Sequence, residues 1–112
     1  METALDALNR LGSAIGGICE RFGVLRLDLF GSASTGRFVT GHSDYDFLVE
    51  LDAADPRSRA QRLIGLAEAL EALLGAPVDL VNPRYIRNPY FAAEVERTRT
   101  PVYERSPAQA AV

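Results

Sequence analysis

Two carboxylates, a glycine and a serine lie within sixteen positions near the middle of this chain. Asp44 and Asp46 open a segment of alternating polar and apolar residues, typical of a strand, so both carboxylates fall on one face. Such carboxylates repel each other unless a cation lies between them, and oxygen ligands suit Mg²⁺. Upstream, Gly31 and Ser32 follow another apolar strand pattern, where unpaired backbone N–H groups can attract phosphate oxygens. Together these residues indicate metal-assisted chemistry on a nucleoside triphosphate.

A third carboxylate, Asp79, interrupts the short apolar segment Val78–Val81. A charge inside an apolar strand is costly unless it is paired or bound to a metal. Taken alone, Asp79 is most simply a strand-end residue that reaches solvent or an arginine. Given the upstream motif, we interpret it as the third acidic residue of the same site, one strand over. We expect this strand to lie in the interior of the sheet.

The segments that must position these residues show clear periodicities. A stripe of apolar residues predicts an amphipathic helix over residues 3–22, weakened or bent at its internal glycines. Residues 24–30 predict a strand with Leu25, Leu27 and Leu29 on its buried face. In the strand of the carboxylates, Tyr45 points away from the acidic face and is expected in the core.

The second half of the chain continues the alternation of helices and strands. Asp55 and Pro56 predict the start of a helix that Gly75 ends, and this helix would connect two parallel strands. Asn88 and Pro89 predict a last helix, and residues 101–103 form either a short edge strand or a docked extension. Between these helices lies a cluster that either packs the last helix or forms an exposed protein-binding patch, with Phe91 expected inside and the tyrosines left open. The cluster comprises Arg84, Tyr85, Arg87, Tyr90 and Phe91.

The length of 112 residues fits one domain, which we place at residues 1–105, with a flexible tail at 106–112. The element order predicts an α/β (α+β) fold: a small mixed sheet of three to four strands flanked by helices.

Composition excludes several functions. The net charge is −3, which argues against direct nucleic-acid binding through bulk electrostatics. All twelve basic residues are arginine, so no P-loop lysine and no Schiff base is available. Cys19 is the only cysteine, which excludes an intrachain disulfide and suits a reducing compartment. With no apparent signal peptide or membrane-spanning run, we expect a cytoplasmic protein with no membrane association.

The central segment resembles the minimal nucleotidyltransferase (MNT) domain of the DNA polymerase β nucleotidyltransferase superfamily. The usual form of that motif is Gly-Ser-x-Ala-x-Gly, a spacer, then Ser-Asp-x-Asp. The chain departs from it at Ser34, where Ala is usual, at Thr35, where Arg is frequent, and in a spacer one residue longer. These departures bear on the shape of the phosphate loop. The matching residues are Gly31, Ser32, Gly36, Ser43, Asp44 and Asp46.

The resemblance implies a polymerase β-like nucleotidyltransferase fold, ATP as substrate and one or two Mg²⁺ ions as cofactor. It implies catalytic and metal-binding roles for Asp44, Asp46 and Asp79, with Asp79 as general base or as a ligand of the second ion. It implies that the nucleotide is held by Gly31, Ser32 and Ser43.

The resemblance also implies a biological role. MNT domains of this type are antitoxins that form hetero-oligomers with a helical HEPN ribonuclease toxin, and some transfer AMP to a tyrosine of that toxin. We therefore expect Mg²⁺-dependent transfer of AMP from ATP to a toxin hydroxyl, that is, a protein adenylyltransferase. Two alternatives remain: a non-catalytic antitoxin that neutralises the toxin by binding, and a small-molecule nucleotidyltransferase of the aminoglycoside type.

Overall fold

The computed structural model describes residues 3–31, 44–52 and 55–105. Two predicted site residues, Ser32 and Ser43, and the predicted tail at 106–112 lie outside these ranges. A 3-10 helix, Pro83–Tyr85, lies between the third strand and the last α-helix. The other elements, in chain order, are α1 (Ala4–Arg10), α2 (Gly12–Arg21), β1 (Val24–Phe30), β2 (Tyr45–Leu51), α3 (Pro56–Leu74), β3 (Val78–Val81), α4 (Pro89–Thr98) and β4 (Thr100–Glu104).

The four strands form one mixed sheet in the order β3-β2-β1-β4. The strand β2 pairs in parallel with β3, and α3 connects the two. The strand β1 pairs antiparallel with both β2 and β4. This confirms the predicted fold class, but the interior position predicted for β3 is wrong. The strand β1 pairs with the other side of β2, so the short β3 has a single neighbour and lies at the edge of the sheet. Its aspartate, Asp79, is exposed there.

Capping residues fix most helix ends where the sequence predicts them. Asp55 caps α3 by accepting a hydrogen bond from the Ser58 amide, and α3 ends at Gly75 in the left-handed conformation. Asn88 caps α4, which begins at Pro89. The single helix predicted at the amino terminus is wrong: α1 and α2 are separate helices, divided at Leu11. The break lies just before the first internal glycine, where helix propensity is low.

One face of the sheet carries the larger core, covered by α1, α2 and α3. Tyr45 lies in this core, as predicted. The predicted buried face of β1 is wrong at one position, because a register shift at the start of the strand places Val24 in the core and leaves Leu25 half-buried. Buried members of this core are Ala4, Leu8, Ile15, Cys19, Val24, Leu27, Leu29, Tyr45, Phe47, Val49, Leu66, Leu70 and Val78.

The opposite face is covered by α4 and carries a smaller cluster of Phe30, Leu48 and Val95. Because side chains alternate along a strand, Asp46 in β2 shares this face with Leu48. The helix α4 therefore lies on the same side of the sheet as the candidate carboxylates. No described helix is long and apolar enough to span a membrane.

Candidate active site

The parallel pairing of β2 with β3 brings two of the predicted carboxylates together. Asp46 and Asp79 are direct register partners, so their side chains leave the sheet on the same face. On the other side of β2, Asp46 is the register partner of Phe30 at the end of β1. Asp44 lies immediately before β2 and is exposed, as is Asp79, whereas Asp46 is half-buried. The three carboxylates are therefore neighbours at the beginning of the two parallel strands.

The electrostatics of Asp46 reflect this arrangement. Burial raises the pKa of Asp46, and the nearby negative charges of Asp79 and Asp44 raise it further, as does a hydrogen bond between the carboxyl groups of Asp46 and Asp79. Negative charge is thus concentrated at a point where nothing in the described residues is shown to neutralise it. A divalent cation, or a positively charged group of a ligand, would relieve the repulsion.

The donor set suits Mg²⁺ in its chemistry. Carboxylate oxygens are the ligands that Mg²⁺ prefers, and the ion usually takes only one or two from protein while water and substrate phosphates complete its octahedron. Within residues 3–31, 44–52 and 55–105, no group of three acidic, histidine or cysteine side chains is arranged as a ready metal cage. The adjacent pair of Asp46 and Asp79 would suit an ion that arrives together with phosphate oxygens and takes its remaining ligands from them and from water.

Gly31 lies beside the half-buried carboxylate. Its backbone φ angle is +75°, a conformation that residues with a side chain rarely adopt. A Cβ atom at this position would lie 3.0 Å from Oδ2 of Asp46. The amide N–H of Gly31 donates to the hydroxyl of Thr98 at 3.0 Å. The predicted phosphate-binding role of Gly31 therefore depends on the space it leaves above Asp46 rather than on its own amide. The role predicted for Ser32 and Ser43 falls outside the described residues.

Sequence reasoning missed Thr98, which ties the end of α4 to this turn. Thr98 is buried, and its hydroxyl accepts from Gly31 while donating to the carbonyl of Glu94 at 2.8 Å. It thereby satisfies the amide at the point where β1 ends and fixes the direction in which the chain leaves the sheet. No sequence signal could have found it, because a threonine at a helix end is common.

A second missed residue, Asp28, is fully buried in β1 on the face that α4 covers. Arg99 donates to its Oδ2 from Nη2 at 2.6 Å and from Nε at 2.9 Å, and Arg26 donates to its Oδ1 at 3.1 Å. These ion pairs raise the pKa of Arg99. The network anchors the carboxyl end of α4 to β1, one residue beyond Thr98. An aspartate in an apolar strand was the available signal, and it resembles that of Asp79.

Comparison with known proteins identifies the family of the chain. A family model described as a nucleotidyltransferase domain matches residues 12–102. The chain belongs to the nucleotidyltransferase domain family. A relative from Methanocaldococcus jannaschii, named as a putative protein adenylyltransferase, is 38% identical over 77 residues, which is 69% of this chain and 75% of the relative.

Solved structures place this nucleotidyltransferase among the minimal members of the family. A structure described as a putative minimal nucleotidyltransferase has a TM-score of 0.69 and 32% identity, over 87% of this chain and 94% of that one. The complex of the MNT antitoxin with a tri-AMPylated HEPN toxin of Shewanella oneidensis gives a TM-score of 0.56 at 19% identity, over 93% of this chain and 78% of that one. The first likeness confirms the predicted resemblance to the MNT domain, and the second shows the shared fold.

Proposed function

We propose that this nucleotidyltransferase transfers AMP from Mg²⁺-bound ATP to a hydroxyl of a partner protein, a tyrosine of a cognate HEPN toxin, and so acts as an antitoxin. The observation that carries the proposal is the pairing of Asp46 with Asp79 beside Gly31, in a chain that belongs to the nucleotidyltransferase family. Supporting it, one relative is named as a putative protein adenylyltransferase and one structural neighbour is an MNT antitoxin bound to an AMPylated HEPN toxin.

In this proposal Asp44 and Asp46 hold Mg²⁺ together with the phosphates of ATP, and Asp79 acts as general base or as a ligand of a second ion. The bound ion would supply charge neutralisation on the triphosphate. Asp46 gains most from the positive charge of the ion, because burial and the negative charges of Asp79 and Asp44 disfavour its ionised form. Gly31 leaves the room beside Asp46 that a side chain would fill.

The chemistry is a displacement at the α-phosphorus of ATP. The oxygen of the acceptor hydroxyl forms a bond to that phosphorus, the bond to the β-phosphate bridging oxygen breaks, and pyrophosphate leaves with the electron pair. Asp79 accepts the proton of the hydroxyl, a role open to it because it is exposed at the sheet edge where an acceptor can reach it. Positioning and charge neutralisation then account for most of the rate.

A labelled-nucleotide assay tests the proposal. The chain is incubated with Mg²⁺ and ATP labelled at the α-phosphate, in parallel with ATP labelled at the γ-phosphate. The acceptor is a candidate HEPN partner protein or an aminoglycoside. We expect the HEPN protein, and not the aminoglycoside, to become labelled, and only from ATP that carries the label at the α-phosphate. With Asp46→Asn or Asp79→Asn in place of the unaltered chain, we expect no label on either acceptor. Label on the aminoglycoside would favour the small-molecule activity, and tight binding without label would favour a non-catalytic antitoxin.

A further inference from the structure

The segment between β3 and the first turn of α4 exposes an unusual set of side chains. Tyr90 is 86% exposed and Tyr85 is 61% exposed. Phe91 is 39% exposed, so the prediction that it lies inside is wrong. Arg84 and Arg87 are exposed as well, and neither makes an ion pair with any described residue. We call these five residues the Tyr-Arg strip. Large exposed apolar side chains that occur together commonly mark an interaction site.

The strip leads to the candidate active site. At its far end Arg84 lines a cleft of about 350 Å³ with Glu50 and Arg59, at the carboxyl ends of the parallel strands. At its near end the ring of Phe91 meets the ring of Phe30 edge-on, with centroids 5.8 Å apart. Phe30 is the register partner of Asp46. A partner lying along the strip would therefore reach the face that carries Asp46 and Asp79.

The charge of the strip indicates its occupant. The whole chain carries a net charge of −3, yet the stretch from Arg84 to Phe91 contains two arginines and no acidic residue. A basic, aromatic surface on an acidic protein is complementary to an acidic protein surface, and tyrosine and arginine are the residues that most often dominate binding energy at interfaces.

We propose that the Tyr-Arg strip is the docking surface for an acidic face of the protein that carries the acceptor hydroxyl. The inference rests on the proposed function in one respect, namely that the acceptor belongs to a protein. It goes beyond that function by naming the surface that recognises this protein and the charge of the surface that it meets.

Binding measured without nucleotide tests the inference. The probe is a candidate HEPN partner protein, titrated calorimetrically against the 112-residue chain and its variants. We expect Tyr85→Ala, Tyr90→Ala and Arg87→Glu each to weaken binding by about tenfold or more, as central interface residues do. Added salt should weaken binding of the unaltered chain more than that of Arg87→Glu, because it screens a charge pair which that variant has already lost.

Matched controls come from α3, on the other side of the sheet. Ile64 is 61% exposed, the same fraction as Tyr85, and Arg57 is an exposed arginine like Arg87. We expect Ile64→Ala and Arg57→Glu to bind the HEPN protein within about twofold of the unaltered chain. All these side chains are exposed, so circular dichroism should show the same fold for every variant.

The outcomes separate docking from catalysis. Strip variants that bind like the controls would overturn the docking inference, even if AMP is still transferred. Strip variants that lose affinity for ATP instead would identify the strip as a nucleobase platform and would also overturn it. If binding depends on the strip but the HEPN protein never acquires AMP, the docking inference stands and the proposed transfer fails. Absence of binding by the unaltered chain would remove this partner and with it the inference.

Discussion

Replacing Asp46 by asparagine should stabilise the metal-free protein while abolishing its transfer activity. Burial and the charges of Asp79 and Asp44 raise the pKa of Asp46 in the folded state. A carboxyl whose folded pKa lies above its unfolded value stabilises the fold only while protonated, and that contribution is lost as pH rises through the folded pKa. At neutral pH the ionised Asp46 therefore costs stability, and an amide removes this cost.

The size of the effect follows from the strand pairing. Register partners on neighbouring strands lie about 4.8 Å apart, and two unit charges at that separation repel by about 1 kcal/mol in water and by more at lower dielectric. Because Asp79 is exposed, water screens the pair, and we take the lower figure. In a domain of 112 residues, about 1 kcal/mol corresponds to a rise in Tm of about 4 °C. The gain should shrink as pH falls toward the range where Asp46 is protonated in both states.

Thermal unfolding in the presence of a chelator measures the gain in stability of Asp46→Asn as a rise in Tm. The control is Glu50→Gln, which also removes a negative charge from β2 but at a position whose register partner is Arg26. We expect Tm to rise for Asp46→Asn and not for Glu50→Gln. Added Mg²⁺ and ATP should then raise the Tm of the unaltered chain but not that of Asp46→Asn, because only the former binds the ion. A lower Tm for Asp46→Asn, or an equal rise in both variants, would refute the electrostatic reasoning.

Three further predictions concern the surroundings of the site. Thr98→Val should remove the hydroxyl that accepts from the Gly31 amide, costing about 1–3 kcal/mol of stability by urea unfolding and raising the KM for ATP, whereas Thr98→Ser should change neither. Equal behaviour of the two variants would contradict the positioning role. Asp28→Ala should cost about 3 kcal/mol in the same measurement, the lower end for a buried pair, since Arg99 can still reach water; a loss below about 1 kcal/mol would show that the network is not structural. Burial raises the pKa of Cys19 to about 12, so a thiol reagent at pH 8 should modify it only after unfolding, and rapid modification of the native protein would contradict its position in the core.

Much of the fold followed from local signals that act over a few residues. Asp55 with Pro56, Asn88 with Pro89, and Gly75 each mark a helix end through their own backbone or side-chain chemistry, and all were predicted correctly. Two errors are local, the helix break at Leu11 and the register shift beside Leu25, and one is a long-range choice. The edge position of β3 depends on which strand takes the other side of β2, and periodicity carries no information on that pairing.

The candidate site shows the same division. The Asp-x-Asp spacing predicts that two carboxylates share a face, and the crossover rule predicts a parallel neighbour for β2, so the approach of Asp79 could be anticipated. The hydrogen bond from Gly31 to Thr98 could not, because it joins residues 67 positions apart through the docking of α4. Asp28 carried the same sequence signal as Asp79, and only the packing of Arg99 against it distinguishes a structural carboxylate from a candidate catalytic one.

The central claim is that Asp44, Asp46 and Asp79 act as one site for AMP transfer. Its most direct test is the intact mass of a candidate HEPN partner protein after incubation with the chain, Mg²⁺ and ATP. We predict an added mass of one or more AMP groups, mapped to tyrosine by fragmentation, and an unchanged mass when Asp46→Asn or Asp79→Asn replaces the unaltered chain. An AMP adduct formed equally well by either variant would contradict the account.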